Sequence, residues 1–306
     1  MASTISSPPI GKIAAPDFTR DLDLALDELT YLLDLTAQVK RNPARYAHSL
    51  DGIYLSLLFE KPSLRTRLTF ELAAKQLGGD AVLCIGPIGD REPLKDVARN
   101  LDRWTNCIVA RTFLQTTIDE LAHWASVPVI NALSDLFHPC QALADVFTVK
   151  EHFGSLDGLK LAFVGDGNNV AHSLMLTATR LGARVAVATP PGYEPNPDIV
   201  ALAGPGVTIT NDAAEAVRDA QVVYTDVWAS MGQEAEAPKR RRIFEPYQVT
   251  EELLVLADPR AIFLHCLPAK RGQEVTEGVI ESPQSVVFDQ AENRLHTQKA
   301  LLLMML

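Results

Sequence analysis

Two arginines and two hydroxyl groups lie close together after an apolar run that ends at Phe59. A proline, Pro62, precedes them, and Pro62 with Ser63 predicts the start of a helix whose N-cap is Ser63. Cations oppose the dipole at a helix N-terminus, so two arginines there favour a bound anion over an ordinary capped helix with a solvated first turn. Arginine also grips phosphate oxygens through two parallel hydrogen bonds. We therefore predict an anion site formed by the hydroxyls of Ser63 and Thr66, the guanidinium groups of Arg65 and Arg67 and the free backbone N–H groups of the first turn.

A histidine and a glutamine open a second predicted helix, at His138 and Gln141. Neutral donors such as these stabilise a carbonyl oxygen on which negative charge grows during nucleophilic attack. The alternative is a polar pair that caps the helix and does nothing else. For a lone His-Pro pair, that alternative is the usual one.

Polar residues also follow the predicted strands of the second half. Residues 165–170, Gly-Asp-Gly-Asn-Asn-Val, superficially match a dinucleotide fingerprint, but Val170 stands where the third glycine is needed. The next predicted strand ends in Thr189 rather than in an acidic residue that would bind a ribose. Asp226 lies at a strand end, where it could pair with a substrate ammonium. Cys266 lies at another, although a buried cysteine is usually a small apolar residue.

Short apolar runs alternate with longer helical patterns along the chain. Several runs are apolar throughout, which is typical of strands buried on both faces of a parallel sheet. The pattern occurs twice, before about Leu136 and after about Leu159. It predicts an α/β fold with two doubly wound domains, mostly parallel sheets and connecting helices, in which ligands bind beyond the carboxyl ends of the strands. The predicted strands are 53–59, 81–85, 107–110, 159–165, 184–189, 221–226, 261–265 and 286–289, and the predicted helices are 66–77, 93–104, 141–152, 170–181 and 292–306.

The overall charge and the cysteines narrow the class of protein. A formal net charge of -10 argues against nucleic acid and anionic membranes as partners, because such a field repels phosphate. The four cysteines form no C-x-x-C pair and none has a histidine at zinc-finger spacing, so we expect no metal site and a reducing compartment. The first twelve residues lack the features of a secretory signal, and no apolar run reaches membrane-spanning length. We predict a cytoplasmic protein.

Four motifs together resemble the aspartate and ornithine carbamoyltransferase superfamily. Residues 63–67 resemble its Ser-Thr-Arg-Thr-Arg signature, and residues 138–141 resemble its His-Pro-x-Gln motif. Residues 226–234 are similar to the Ser-Met-Gly loop of the ornithine enzymes. Residues 265–268 are similar to their His-Cys-Leu-Pro motif, where the aspartate enzymes have His-Pro-Leu-Pro-Arg.

The resemblance implies transfer of a carbamoyl group from carbamoyl phosphate to the side-chain amine of L-ornithine. It implies a homotrimer without cofactor or metal, serving arginine biosynthesis. Residues 1–137 and 292–306 would bind carbamoyl phosphate, and residues 138–291 would bind ornithine. The implied catalytic residues are Arg65, His138, Asp226 and Cys266. The implied carbamoyl-phosphate contacts are Ser63, Leu64, Arg65, Thr66, Arg111, His138, Gln141, Cys266, Leu267 and Arg294, and the implied ornithine contacts are Asn169, Asp226, Ser230 and Met231.

Two loop segments, 88–92 and 234–242, need a separate interpretation. The family loop that usually reads near Gln-Leu-Gly-Arg-Gly-Glu, and that reaches into a neighbouring subunit's site, is shortened here to residues 88–92 and lacks the glutamine. We interpret the polar stretch 234–242 as a mobile lid, with a disordered surface loop as the alternative. Three other functions stay open: a carbamoyltransferase for another amine such as acetylornithine, succinylornithine or putrescine, a nucleotide-dependent oxidoreductase, and a catalytically silent regulatory relative.

Overall fold

The computed structural model describes residues 9–229 and 234–306 of the chain. The chain divides into two compact units. The first extends to Phe147 and also includes Asn293–Leu306, and the second is Thr148–Glu292. Both boundaries fall inside helices, so helices join the units. The predicted α/β fold with two parallel sheets is confirmed.

The first unit contains a four-stranded parallel sheet in the order β2-β1-β3-β4. Strand β3 is buried along its whole length, whereas β2 is an exposed edge strand. The chain passes from β1 to β2 on one side of β1 and then crosses back to β3 on the other side. The direction in which strands are added to the sheet therefore reverses between β1 and β3. A crevice at such a switch point is where open α/β sheets bind ligands. The strands are β1 (Tyr54–Phe59), β2 (Asp80–Ile85), β3 (Cys107–Arg111) and β4 (Val129–Leu133), and the helices are α1 (Leu26–Arg41), α2 (Arg65–Gln76), α3 (Leu94–Trp104), α4 (Gln115–Trp124) and α5 (Pro139–Phe153).

The second unit contains a five-stranded parallel sheet in the order β7-β6-β5-β8-β9. The order reverses between β5 and β8, which places a second switch point there. The strands are β5 (Lys160–Val164), β6 (Arg184–Ala188), β7 (Val207–Thr210), β8 (Val222–Thr225) and β9 (Ile262–His265), and the helices are α6 (Asn169–Arg180), α7 (Pro197–Ala203), α8 (Ala213–Val217), α9 (Ala237–Phe244), α10 (Glu251–Leu254) and α11 (Glu277–Ile280). Helix α12 (Val287–Met305) begins in this unit and continues into the first, to which Asn293–Leu306 belong.

Three predictions about these elements need correction. The strand predicted at 286–289 is wrong, because α12 begins at Val287. A short apolar run cannot be told from the first turn of a buried helix by periodicity alone. Strands β4 and β7 went unpredicted, since buried Asn131 interrupts the first and the second is only four residues long. The stretch 234–242 is not an irregular loop in its described part, because α9 occupies most of it.

Each unit has its own apolar core. In the first unit, residues of β3 pack with α3 and α4, including Ile108, Ala110 and Leu121. In the second, β5, β6 and β8 pack against α8 and α10, including Val164, Val223 and Leu254. Each core holds the strands rigidly, so the loops after them carry the functional side chains. Within the described ranges, no helix is both long enough and apolar enough to cross a bilayer.

Candidate active site

The N-terminus of α2 lies directly after β1 and is open to an anion. The helix begins at Arg65 and its N-cap is Leu64, which is 69 % exposed. The prediction that Ser63 is the N-cap is therefore wrong, because the helix starts one residue later than a Ser63 cap requires. A leucine side chain has no acceptor for the N–H groups of the first turn, so these groups and the helix dipole are left to attract a ligand.

Arg294 of α12 meets two predicted contact residues at this helix end. Its Nη2 donates to Thr66 Oγ1 at 2.9 Å, and its Nη1 donates to Gln141 Oε1 at 2.5 Å. The Gln141 amide in turn donates from Nε2 to Asp145 Oδ1 at 2.8 Å, which fixes its orientation. Arg294 and Gln141 are almost fully buried. The structure thus brings together residues from α2, α5 and α12 that are far apart in sequence.

His138 lies just before α5 and is held by a buried polar network. Ser134 donates through Oγ to Gln115 Oε1 at 2.6 Å, and Asn131 donates to the same oxygen at 3.0 Å. The Ser134 hydroxyl also accepts from the backbone N–H of Phe137 at 3.1 Å. This network fixes the turn that presents His138, which is 5 % exposed. Sequence reasoning missed Ser134 and Gln115. Their role in supporting His138 is visible only from the contact between them, which joins positions 19 residues apart.

The surroundings of His138 favour its neutral imidazole. Burial, and then the nearby charges of Arg294 and Arg111, hold the pKa of His138 well below its usual value. A neutral imidazole can donate a hydrogen bond to a carbonyl oxygen without carrying a charge of its own. This is the state that stabilisation of a developing oxyanion by His138 requires.

We expect His138 to stay neutral at pH 6, where an ordinary histidine is mostly protonated. Nuclear magnetic resonance of protein labelled with ¹⁵N in its histidines, assigned with the variant His138→Gln, measures this directly. Because the folded state binds the proton more weakly than the unfolded state, the contribution of His138 to stability is present above about pH 6.5 and is lost as pH falls. A titration midpoint near 6.5 in the folded enzyme would contradict this account.

Arg111 ends β3 beside the loop that leaves β1. It is 6 % exposed, and its backbone carbonyl accepts from the Glu60 N–H at 2.9 Å. The Glu60 carboxylate accepts from the N–H of Phe113 at 2.8 Å and from the N–H of Ile88 at 3.3 Å. Glu60 therefore ties the loop that begins at Ile88 and the loop after β3 to the segment between β1 and α2. Lys61 supports the same arrangement, with Nζ 4.6 Å from the centre of the Phe113 ring.

Asp226 and Cys266 meet at the carboxyl ends of β8 and β9 in the second unit. The Cys266 thiol donates to Asp226 Oδ1 at 3.0 Å, and the Asn168 amide donates to Asp226 Oδ2 at 2.8 Å. Both carboxylate oxygens are thus oriented by neighbours on different strand ends. Asn169 is the first residue of α6 and follows Asn168 directly. Sequence reasoning missed Asn168, although an asparagine before a helix is a common N-cap.

His265 supports the Cys266 turn and does not present a free nitrogen. Its Nδ1 accepts from the N–H of Leu267 at 2.8 Å, so its Nε2 carries the proton that faces Glu274 Oε1 at 3.3 Å. Both side chains are fully buried. Asp226, His265 and Cys266 lie close enough to hold a metal ion, with ligand atoms within 4.8 Å of one another. A metal would have to displace the His265 contacts, so the cluster fits a hydrogen-bonded turn better than a metal site.

The N-terminus of α6 differs from that of α2 because its own sequence caps it. Asn168 Oδ1 accepts from the N–H of Val170 at 3.0 Å and from that of Ala171 at 3.2 Å. In a dinucleotide site, these first N–H groups bind the pyrophosphate. Val170 is also buried where a fingerprint requires glycine. The two observations argue against the oxidoreductase alternative.

The predicted site residues fall into two groups, one in each unit. Cys266 and Leu267, predicted to contact carbamoyl phosphate, lie in the second unit, and their contact with it stays a prediction. The Arg67 side chain is 44 % exposed, with Nε 4.0 Å from Glu71 Oε2. Ser230 and Met231 lie outside the described residues. The first-unit group is Ser63, Leu64, Arg65, Thr66, Arg111, His138, Gln141 and Arg294, and the described second-unit group is Asn169, Asp226, Cys266 and Leu267.

Family models match both units of the chain. The carbamoyl-P binding domain of aspartate/ornithine carbamoyltransferases matches residues 17–151, and the Asp/Orn binding domain matches residues 157–305. The chain belongs to the aspartate/ornithine carbamoyltransferase family. Cys266 follows His265, the last residue of β9, and belongs to the His-Cys-Leu-Pro segment by which the sequence resembles the ornithine enzymes.

Several ornithine carbamoyltransferases are similar to this family member. The enzyme of Anoxybacillus flavithermus is 50% identical over 308 residues, covering 96% of this chain and 98% of that protein. The "Ornithine carbamoyltransferase, anabolic" of Pyrococcus furiosus is 52% identical over 263 residues, covering 83% of this chain and 84% of that protein. The solved ornithine carbamoyltransferase structure from Pyrococcus furiosus has a TM-score of 0.92 and 46% identity, covering 96% of this chain and 97% of that one.

Proposed function

We propose that the enzyme transfers the carbamoyl group of carbamoyl phosphate to the side-chain amine of L-ornithine, giving L-citrulline and phosphate. The observation that carries the proposal is the hydrogen bond from the Cys266 thiol, after β9, to the Asp226 carboxylate, after β8. A thiol and a carboxylate suit a cationic amine, whereas the arginine that the aspartate enzymes carry in this segment suits an acidic substrate.

Carbamoyl phosphate occupies the first unit in this proposal. The uncapped N-terminus of α2, with Arg65 and the Ser63 hydroxyl, binds the phosphate. Arg111 neutralises its charge as the bond to the carbonyl carbon breaks. His138 donates to the carbonyl oxygen, and Gln141 and Arg294 help to hold it. Support comes from the burial of Arg111 and Arg294 and from the lowered pKa of His138.

Ornithine occupies the second unit, where its amine is prepared for attack. A free alkyl amine has a pKa near 10 and is mostly protonated at neutral pH, so it must lose a proton before it can act as a nucleophile. Asp226 pairs with the ammonium and, with Cys266, orients the nitrogen. After the ammonium has released one proton to solvent, the neutral nitrogen bonds to the carbonyl carbon and phosphate leaves with the C–O electron pair. The departing phosphate takes up the second proton that the nitrogen loses as the new C–N bond forms. Asn169, Ser230 and Met231 hold the amino-acid head group.

A colorimetric citrulline assay with a panel of acceptors tests the proposal. We expect ornithine to be carbamoylated at least 10²-fold more efficiently than acetylornithine, succinylornithine, putrescine or aspartate. Acylation removes the charge of the α-amino group, and putrescine has no carboxylate, so each analogue leaves polar groups of the site without their partner. Preferred use of an acylated ornithine or of putrescine would assign a different acceptor, and turnover of none would indicate a silent relative.

An apolar surface on the first unit supports the predicted homotrimer. Leu64, Leu68 and Leu72 follow one another at four-residue spacing and are 42–69 % exposed, so they form a stripe on α2. The exposed edge strand β2 adds Val82 and Ile85. Several large apolar side chains exposed on one helix suggest that this helix lies in an interface. We infer that copies of the chain cover this surface.

We expect Leu72→Glu to break the assembly. A carboxylate in an apolar interface loses its hydration without gaining a partner, which disfavours association by several kcal/mol. Light scattering after gel filtration should give a mass near three chains of 33.4 kDa for the unaltered protein and a single-chain mass for the variant. Leu202→Glu, on an exposed leucine of α7, is the control and should leave the trimer intact. A monomeric unaltered protein would contradict the proposal.

The physiological setting extends the same proposal. The similarity to an enzyme named as anabolic supports a role in arginine biosynthesis. None of the four cysteines, all of which lie in the described part of the chain, forms a disulfide, which suits the reducing cytoplasm predicted from the sequence.

A further inference from the structure

Arg240 of α9 is a buried cation that the proposed chemistry does not use. Its side chain is 8 % exposed, and its Nη1 donates to Asp166 Oδ2 at 2.8 Å and to the backbone carbonyl of Trp228 at 2.9 Å. Its Nε donates to Glu236 Oε2 at 3.1 Å. A buried charge is costly unless its hydrogen bonds are satisfied. These contacts satisfy it and connect α9 to the loops after β5 and β8.

Arg240 also packs against Tyr193, which contacts the β5–α6 loop. The guanidinium carbon is 4.9 Å from the centre of the Tyr193 ring, a favourable distance for a cation over an aromatic face. The backbone carbonyl of Tyr193 accepts from the Gly167 N–H at 2.9 Å. A Cβ atom on Gly167 would lie 2.2 Å from the Pro195 nitrogen, so the backbone at Gly167 packs directly against the backbone at Pro195. Arg240 thus holds the loop through Asp166 on one side and through Tyr193 on the other.

This loop ends in the residue that orients Asp226. The Asn168 N–H donates to the backbone carbonyl of Asp166 at 2.7 Å, and the Asn168 amide donates to Asp226 Oδ2 at 2.8 Å. A continuous series of contacts therefore runs from Arg240 through Asp166 and Asn168 to the carboxylate predicted to pair with the substrate ammonium. Arg240 therefore influences the position of Asp226 without contacting Asp226 directly.

We propose that Arg240 is a positioning residue for ornithine, which sets the β5–α6 loop, and through Asn168 the Asp226 carboxylate, by its pair with Asp166. The inference rests on the proposed function. It explains why one arginine in a run of three is buried while its neighbours Arg241 and Arg242 are exposed. Loss of the pair would weaken ornithine binding and leave the first unit's ligand unaffected.

Steady-state kinetics of Arg240→Met test this inference, since methionine keeps an apolar stem and removes the guanidinium. We expect the KM of ornithine to rise at least tenfold, with the KM of carbamoyl phosphate within twofold of the unaltered enzyme. A purely structural loss would lower kcat through a smaller active fraction and leave both KM values unchanged. Arg242→Met, on an exposed arginine of the same helix, is the matched control and should behave as the unaltered enzyme.

Asp166→Asn provides a second test should Arg240→Met fold poorly. Burial raises the pKa of Asp166 to about 6 against the pull of Arg240, with Asp226 and Glu236 adding to the rise. Protonation below pH 6 would discharge the pair. We therefore expect the KM of ornithine to rise more steeply on acidification in the unaltered enzyme than in Asp166→Asn, where the group no longer titrates. Protonation of the substrate amine affects both proteins equally and cancels in the comparison.

Four outcomes are decisive. An unchanged ornithine KM in folded Arg240→Met overturns the inference and leaves the proposed function standing. So does an equal rise in both KM values, or an identical pH dependence in the unaltered enzyme and in Asp166→Asn. An unaltered enzyme that does not carbamoylate ornithine overturns the proposed function and this inference together.

Discussion

Arg65→Ala is expected to lower kcat/KM for carbamoyl phosphate by about 10³-fold. Arg65 is the first residue of α2, where the dipole and the N–H groups of the first turn converge on one point. Removing one donor that stabilises developing charge costs about 10²–10³ in rate, and a guanidinium on phosphate lies at the upper end. Initial rates with carbamoyl phosphate varied at saturating ornithine measure the effect.

Two further variants make the Arg65 result specific. Arg65→Lys keeps the charge and loses the two-pronged geometry, so we expect an intermediate loss. Lys75→Ala, in the last turn of the same helix, removes an exposed cation of α2 and should leave the kinetics unchanged. Near-normal turnover by Arg65→Ala, or an equal loss in Lys75→Ala, would remove the phosphate site from the N-terminus of α2.

Asp226→Asn is expected to lower kcat by about 10²–10³-fold while leaving carbamoyl-phosphate binding unchanged. The amide keeps the shape of the side chain and loses the charge that pairs with the ammonium and helps it to lose a proton. Its nitrogen would also face either Cys266 or Asn168, both of which donate to Asp226 in the native protein. Pre-steady-state and steady-state citrulline formation measure the loss in the chemical step.

The dependence on pH separates a charge effect from a packing effect at Asp226. Because Asn cannot assist deprotonation, raising the pH should recover part of the activity of Asp226→Asn as more ornithine becomes neutral in solution. Asp219→Asn is the control, since Asp219 has a φ of 58° that asparagine tolerates. A variant with wild-type kcat, or a loss that does not respond to pH, would remove Asp226 from the acceptor site.

Strand ends were the part of this site that the sequence specified best. Continuous apolar runs marked the strands, and the polar residues just after them, such as Arg65, Asp226 and Cys266, could be placed at the carboxyl edge of a parallel sheet. Family resemblance then supplied the expected partners. The structure confirms the fold and brings Asp226 and Cys266 together, while the chemical roles of both residues remain predictions.

Long-range contacts were beyond the reach of local patterns. The bond from Arg294 to Thr66 joins positions 228 residues apart, and nothing in the helix around Arg294 indicates it. The pair of Arg240 with Asp166 has the same character, since its stretch of charged residues resembles a solvated surface. The predicted Ser63 cap is wrong for a different reason: a serine favours a cap locally, but Leu64 occupies the cap position of α2.

The central claim is that a carbon–nitrogen bond forms between the carbamoyl group and the side-chain nitrogen of ornithine. Carbamoyl phosphate labelled with ¹³C and ornithine labelled with ¹⁵N at the side-chain nitrogen test it in one reaction, read by nuclear magnetic resonance. We predict a product with a one-bond coupling between the two labels, formed together with an equal amount of inorganic phosphate. A carbamoyl group on the unlabelled α-nitrogen, a phosphorylated product, or no coupled product at all would contradict the account.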